Sequence, residues 1–126
     1  MEYEIIDDID VECYVSIGGM ENVTVTFLEA QSYKKECEVW IDKLKNHWDE
    51  ATKDLHTQVS DYVKNLYKED IGKYELLEIY IDIEDKMGTF GLMYRLENDT
   101  EHGLGVKFED FKIKKVGPAD TAFLDL

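Results

Sequence analysis

Glu101 and His102 stand side by side, with glycines at 103 and 105, and are the best candidates in this 126-residue chain for moving a proton. A carboxylate beside an imidazole is the minimal apparatus of general acid–base chemistry. His102 with Glu101, Asp99 or Asp120 would suit a small hydrolase or a metal-dependent enzyme. The same residues also fit a loop histidine held by a neighbouring carboxylate, with glycines easing a tight passage into a strand. The other histidines, His47 and His56, are nine residues apart and would point to opposite faces of one helix. No His-Glu-x-x-His pair and no Gly-rich phosphate loop occurs, and neither Cys13 nor Cys37 has a histidine close in sequence. The sequence therefore assigns no catalytic residue, no metal ligand and no cofactor.

Two further rows have a spacing that suggests binding. Asp8, Asp10 and Glu12 recur at two-residue steps with Tyr14 continuing them, and Glu78, Tyr80, Asp82 and Glu84 repeat the theme. Residues two apart on a strand share a face. The first row is not a calcium loop of the helix–loop–helix kind, because Cys13 stands where the sixth-position glycine is required. Carboxylates mixed with tyrosine suit a face that meets a basic protein: charge steers the encounter, and tyrosine supplies contact area with a hydrogen-bonding tip. A merely solvated strand face in an acidic protein would carry the same residues.

These rows need strands to carry them. Val11, Cys13, Val15 and Ile17 alternate with polar residues, Gly18-Gly19 supplies a turn, and Val23, Val25 and Phe27 alternate again, which predicts a β-hairpin. From Tyr33 the period lengthens: Cys37, Ile41, Leu44, Trp48, Ala51, Leu55, Val59, Tyr62 or Val63, and Leu66 predict helix up to Gly72. One unbroken helix would be roughly 55 Å long, against a radius of gyration of about 14 Å for a compact domain of this size. A break is expected, at Asn46-His47, although one bent helix fits the pattern too. Alternation returns at Leu77, Ile79, Ile81 and Ile83, and Asp85-Lys86-Met87-Gly88 supplies a turn. Strands are then expected over Phe90–Leu96, around Leu104, Val106 and Phe108, and around Phe111, Ile113 and Val116. Gly117-Pro118 ends the last of them. The order predicts an α+β fold: a mostly antiparallel sheet of about six strands, with one or two helices on one face, in a single domain over residues 1–126.

The formal net charge is −15 and the sequence pI is near 4.4, which excludes phosphate backbones and anionic membranes as natural partners. Every charged residue before Lys34 is an acid. The first ten residues hold five acids and no Lys or Arg, unlike an export signal, and no apolar run approaches membrane-spanning length. A cytoplasmic protein with reduced, buried thiols is expected.

At Glu101-His102-Gly103-Leu104-Gly105-Val106, Val116-Gly117-Pro118-Ala119-Asp120 and Ala122-Phe123 the chain resembles a bacterial domain-of-unknown-function family. That family has a Glu-His-Gly-Leu-Gly-Val strand and a Val-Gly-x-Ala-Asp tail. The chain departs from the pattern at Asn98-Asp99-Thr100, where an aromatic residue would be expected, and at Glu109-Asp110-Phe111, which replaces a more typical glycine turn. The resemblance implies a bacterial α+β domain without an established reaction, and some similar small acidic proteins are toxin-immunity factors.

The reading expected from all this is a non-enzymatic, immunity-like binding protein. Asp8, Asp10, Glu12, Tyr14, Glu78, Tyr80, Asp82 and Glu84 would engage a basic protein partner. The alternatives are the His102 enzyme and a homo-oligomer joined through a sheet edge or the helices.

Overall fold

A computed structural model describes residues 3–6 and 9–124; Asp8, the first residue of the first acidic row, lies outside them. The strands are β1 (Tyr3–Ile6), β2 (Asp10–Ile17), β3 (Met20–Phe27), β4 (Tyr74–Ile81), β5 (Phe90–Leu96), β6 (Leu104–Glu109) and β7 (Lys112–Gly117). Helices α1 (Lys35–Thr52) and α2 (Leu55–Tyr67) fall between β3 and β4, and a 3-10 turn at Ala119–Ala122 follows β7. The strands form one sheet in chain order. All neighbours are antiparallel except β3 and β4, which the helical crossover makes parallel. The α+β class is as expected, with β1 as an added strand. Its four residues are too short to display a two-residue period.

One sheet face and the two helices share the core. Val11, Cys13, Val25, Phe27, Ile79, Ile81, Phe90, Leu92, Leu96, Leu104, Val106 and Phe108 are fully buried at alternating strand positions. They meet Cys37, Trp40, Ile41, Leu44, Trp48 and Ala51 of α1, and Val59 and Val63 of α2. Each large aliphatic or aromatic side chain so buried contributes about 1.5–3 kcal/mol. The helical segment does break, but at Lys53-Asp54 rather than Asn46-His47. The apolar steps Ala51, Leu55, Val59 run through the break four residues at a time, so periodicity does not mark it. Asn46 and His47 remain helical, and the His47 ring stacks on Phe111 with centroids 4.1 Å apart.

Two turns show how tightly the layers are fitted. Gly18 and Gly19 have φ of 58° and 77°, as a two-residue type I′ hairpin requires. A Cβ on Gly18 would lie 2.2 Å from Trp48 Nε1, so the turn also needs glycine for the approach of α1. Between β6 and β7, Asp110 and Phe111 occupy the same left-handed region at φ 55° and 57°. This is the turn that departs from a glycine pattern. The Phe111 N–H donates to the Gly88 carbonyl at 3.1 Å, and its ring packs against His47 and Phe90, contacts that offset the steric cost of an αL aromatic residue.

The other sheet face is divided. Over β5–β7 it carries Gly91, Gly105 and Gly117, onto which the segment Pro118–Ala122 packs, backbone to backbone at Gly91 and Gly105 and through the Thr121 side chain at Gly117. A Cβ on Gly91 would fall 1.6 Å from the Ala122 carbonyl oxygen, and one on Gly105 would fall 2.5 Å from that of Pro118. Over β2–β4 the face carries the acidic rows.

Candidate functional site: the acidic face of strands β2 to β4

Glu12 pairs in register with Thr26 of β3, and Thr26 with Tyr80 of β4, so both rows lie on one face of the sheet. Strands β2 and β4 sit on either side of β3, about 9.5 Å apart at the usual strand spacing. They run in opposite directions, because β2 is antiparallel and β4 parallel to β3. Glu12 therefore lies across Thr26 from Tyr80, whereas Tyr14, paired with Thr24, lies toward the Glu78 end of β4. The strand-borne part of the second row stops at Tyr80. Asp82 and Glu84 follow the end of β4 in a turn, where the Glu84 N–H donates to Asp82 Oδ1 at 2.9 Å, so Ile83 does not extend the strand.

Within the face each tyrosine is tied to an acid. Tyr14 Oη donates to Glu12 Oε1 at 2.6 Å and Tyr80 Oη to Glu78 Oε2 at 2.7 Å. The Thr26 hydroxyl donates to the other Glu78 oxygen, and Asp10 Oδ1 accepts the Glu29 N–H at 2.8 Å. The Tyr14 phenol is pushed up to about 12, chiefly by its hydrogen bond to Glu12. The Tyr80 phenol is also raised, first by burial, then by Glu78, and then by the negative charge of Asp10 and Glu12 across the face. Both hydroxyls thus remain donors throughout the neutral range.

Two lysines stand at the margin of this face, Lys107 beside Tyr80 and Asp82 and Lys34 beside Asp82 and Glu84, but neither is ion-paired to its carboxylates among the described residues. Among the described residues none of Asp10, Glu12, Glu78, Asp82 or Glu84 is in an ion pair, whereas Glu50, Asp70, Glu75 and Glu109 each have a Lys or Arg partner. Nor are three or more His, Cys, Asp or Glu side chains gathered among the described residues to hold a metal ion. Tyr14 is 41% exposed, and Phe123, 38% exposed, packs its ring 5.0 Å from that of Tyr80. Phe123 extends the aromatic surface and was missed from the sequence. The C-terminal segment reaches it only by crossing the glycine positions of β5–β7, and glycines inside strands are the signal that could have pointed to such an approach.

The loop around His102 is built differently from the sequence expectation. Asp99, not Glu101, partners the histidine: Asp99 Oδ2 accepts from His102 Nδ1 at 2.9 Å and from Tyr67 Oη at 2.8 Å, and Oδ1 accepts the His102 N–H at 3.1 Å. These donors hold the Asp99 carboxyl below its ordinary value, the His102 N–H contributing most. Glu101 is exposed with no hydrogen bond to His102 among the described residues. Asp120 is placed in the 3-10 turn, where its carbonyl accepts the Phe123 and Leu124 N–H groups. Gly103, at φ 65°, turns the chain into β6, and the His102 carbonyl accepts the Ala119 N–H at 2.9 Å. The Glu-His-Gly-Leu-Gly-Val and Val-Gly-x-Ala-Asp segments are thus two sides of one docking contact.

A cleft of about 470 Å³ lies elsewhere, at the helix break, between His47, Lys53, Gln58 and the Phe111 turn. It brings together none of the candidate residues. Cys13 and Cys37 are buried free thiols. No helix among the described residues is long and apolar enough to cross a membrane. Comparison of the chain with protein-family models, with curated proteins and with solved structures finds no match.

Proposed function

We propose that the protein is a non-enzymatic binding protein, immunity-like in character, that engages a basic protein partner through the β2–β4 face and the adjoining turn. The observation that carries this reading is the convergence of Asp10, Glu12, Tyr14, Glu78 and Tyr80 on one side of three neighbouring strands, with Asp82 in the adjoining turn and none of these carboxylates in an ion pair among the described residues. Carboxylates gathered on neighbouring strands without ion-pair partners repel one another, so a cationic surface that neutralises them lowers the energy of both partners. The exposed rings of Tyr14 and Phe123 supply the apolar contact that charge alone lacks. The Asp99–His102 pair is better explained as a lock on the loop that receives the C-terminal segment, because the same His102 that Asp99 holds accepts the Ala119 N–H through its carbonyl.

The test is affinity capture at low salt with the native chain and with a variant carrying Asp10→Asn, Glu12→Gln, Glu78→Gln and Asp82→Asn. A basic protein retained by the native chain, lost by the variant and released by moderate salt is the expected result. Equal retention by both chains would reduce the acids to a solubilising role.

A further inference from the structure

Glu12-Cys13-Tyr14 on β2 and Glu78-Ile79-Tyr80 on β4 are the same Glu-x-Tyr triplet in the same conformation. In each, the tyrosine hydroxyl donates to the glutamate two residues before it. Because their strands run in opposite directions on either side of β3, the triplets are arranged head to tail, and Glu12 faces Tyr80 across Thr26. Each carboxylate thus has one tyrosine ring on its own strand and another across the face. Phe123 adds a third ring beside Tyr80.

A carboxylate held beside an aromatic ring distinguishes between basic groups. A guanidinium is planar and weakly hydrated, so it can stack on the ring while directing paired N–H groups at the carboxylate. An ammonium is a compact, strongly hydrated point charge that gains much less from the ring. We propose that this sheet face reads arginine in preference to lysine, on an extended arginine-bearing segment of a basic partner protein lying across β2–β4. The inference rests on the binding role proposed above. Charge complementarity selects the occupant: Glu12 and Glu78 are in no ion pair among the described residues, and a second copy of this chain, with its net charge of −15, would bring like charge against them.

The experiment compares fluorescent oligoarginine and oligolysine peptides of equal length by anisotropy at low salt. The proteins are the native chain and three double variants: Tyr14→Leu with Tyr80→Leu, Tyr14→Phe with Tyr80→Phe, and Glu12→Gln with Glu78→Gln. The native chain is expected to prefer the arginine peptide roughly tenfold, the sum of two cation–π contacts, one at exposed Tyr14 and one at half-buried Tyr80. The Leu variant should lose that preference while holding the lysine peptide within about twofold of native, because its carboxylates remain. The Phe variant keeps both rings and should keep the preference; it carries the test if melting curves show that the Leu variant does not fold. The Gln variant should weaken both peptides. Equal affinity of the native chain for the two peptides, both weakened in the Gln variant, overturns the arginine reading and leaves the acidic face as a binding surface. A preference that survives in the Leu variant overturns the role of the tyrosines. If the Gln variant binds both peptides as well as native, the binding role itself falls. Self-association of the native chain that the Gln variant abolishes would give the face to a second copy, and overturns the proposal.

Discussion

Replacing Gly91 by alanine should detach the C-terminal segment from the sheet. The added Cβ would sit 1.6 Å from the Ala122 carbonyl oxygen, 2.4 Å from its carbonyl carbon and 2.7 Å from its Cα. These are backbone atoms, which have no rotamer to yield, so the segment must retreat by about 2 Å to restore an ordinary contact. Retreat opens the packing around Ala122 and Thr121, which are 0% and 1% exposed, and strains the Ala119 to His102 hydrogen bond. Forced overpacking of this kind costs about 1–3 kcal/mol, which for a chain of this size lowers Tm by roughly 4–12 °C. A circular-dichroism melt gives the magnitude, and amide hydrogen exchange over 119–124 locates it. An unchanged Tm with the Ala119 amide still protected would refute the account of the glycine face.

Gly18→Ala meets both a φ of 58° and the Trp48 indole at 2.2 Å; it should cost about 1–3 kcal/mol and shift tryptophan emission, read by denaturant titration. Burial pushes the Cys13 thiol up to about 11 and also raises that of Cys37, so neither should react with a thiol reagent at mildly alkaline pH until the chain is unfolded. Reaction in the native state would show that the core is not closed there. The Asp99 carboxyl lies below its ordinary value when folded. Its contribution to stability is therefore complete above the unfolded value near 3.8 and is lost as pH falls from there through the lower folded one. Asp99→Asn should remove that part of the acid-induced loss, measured by urea titration across the acidic range. An unaltered pH profile would detach stability from the Asp99–His102–Tyr67 contacts.

Much of this fold can be read from periodicity. Val11 to Phe27 alternates around Gly18-Gly19, and the helical step of Cys37 to Leu66 is maintained with no Gly or Pro to interrupt it. What periodicity cannot carry is anything that leaves the step unchanged. The helix break at Lys53-Asp54 preserves the four-residue spacing of Ala51, Leu55 and Val59, and β1 is too short to have a period. Strand order is equally hidden. The two acidic rows are visible as rows, but only the parallel pairing of β3 with β4 puts them on either side of Thr26 and reverses one against the other. For His102, adjacency in sequence suggested Glu101. Asp99, three residues earlier, is the partner because the loop folds back on itself, and its Tyr67 contact comes from the end of α2, far away in the chain.

If the β2–β4 face, rather than total charge, recognises a basic partner, the position of the acids must matter more than their number. This is tested most directly with two variants of equal net charge. One carries Asp10→Asn, Glu12→Gln, Glu78→Gln and Asp82→Asn on the face; the other carries Glu36→Gln, Glu38→Gln, Asp42→Asn and Asp61→Asn on the helices. Retention of basic proteins on each immobilised chain is followed as ionic strength rises from about 0.01 M to about 1 M, which shortens the Debye length from about 30 Å to about 3 Å. The face variant should lose retention at low salt, while the helix variant behaves as native and releases its partner at moderate salt. Equal loss in both variants, or retention that salt does not weaken, would contradict recognition by the face.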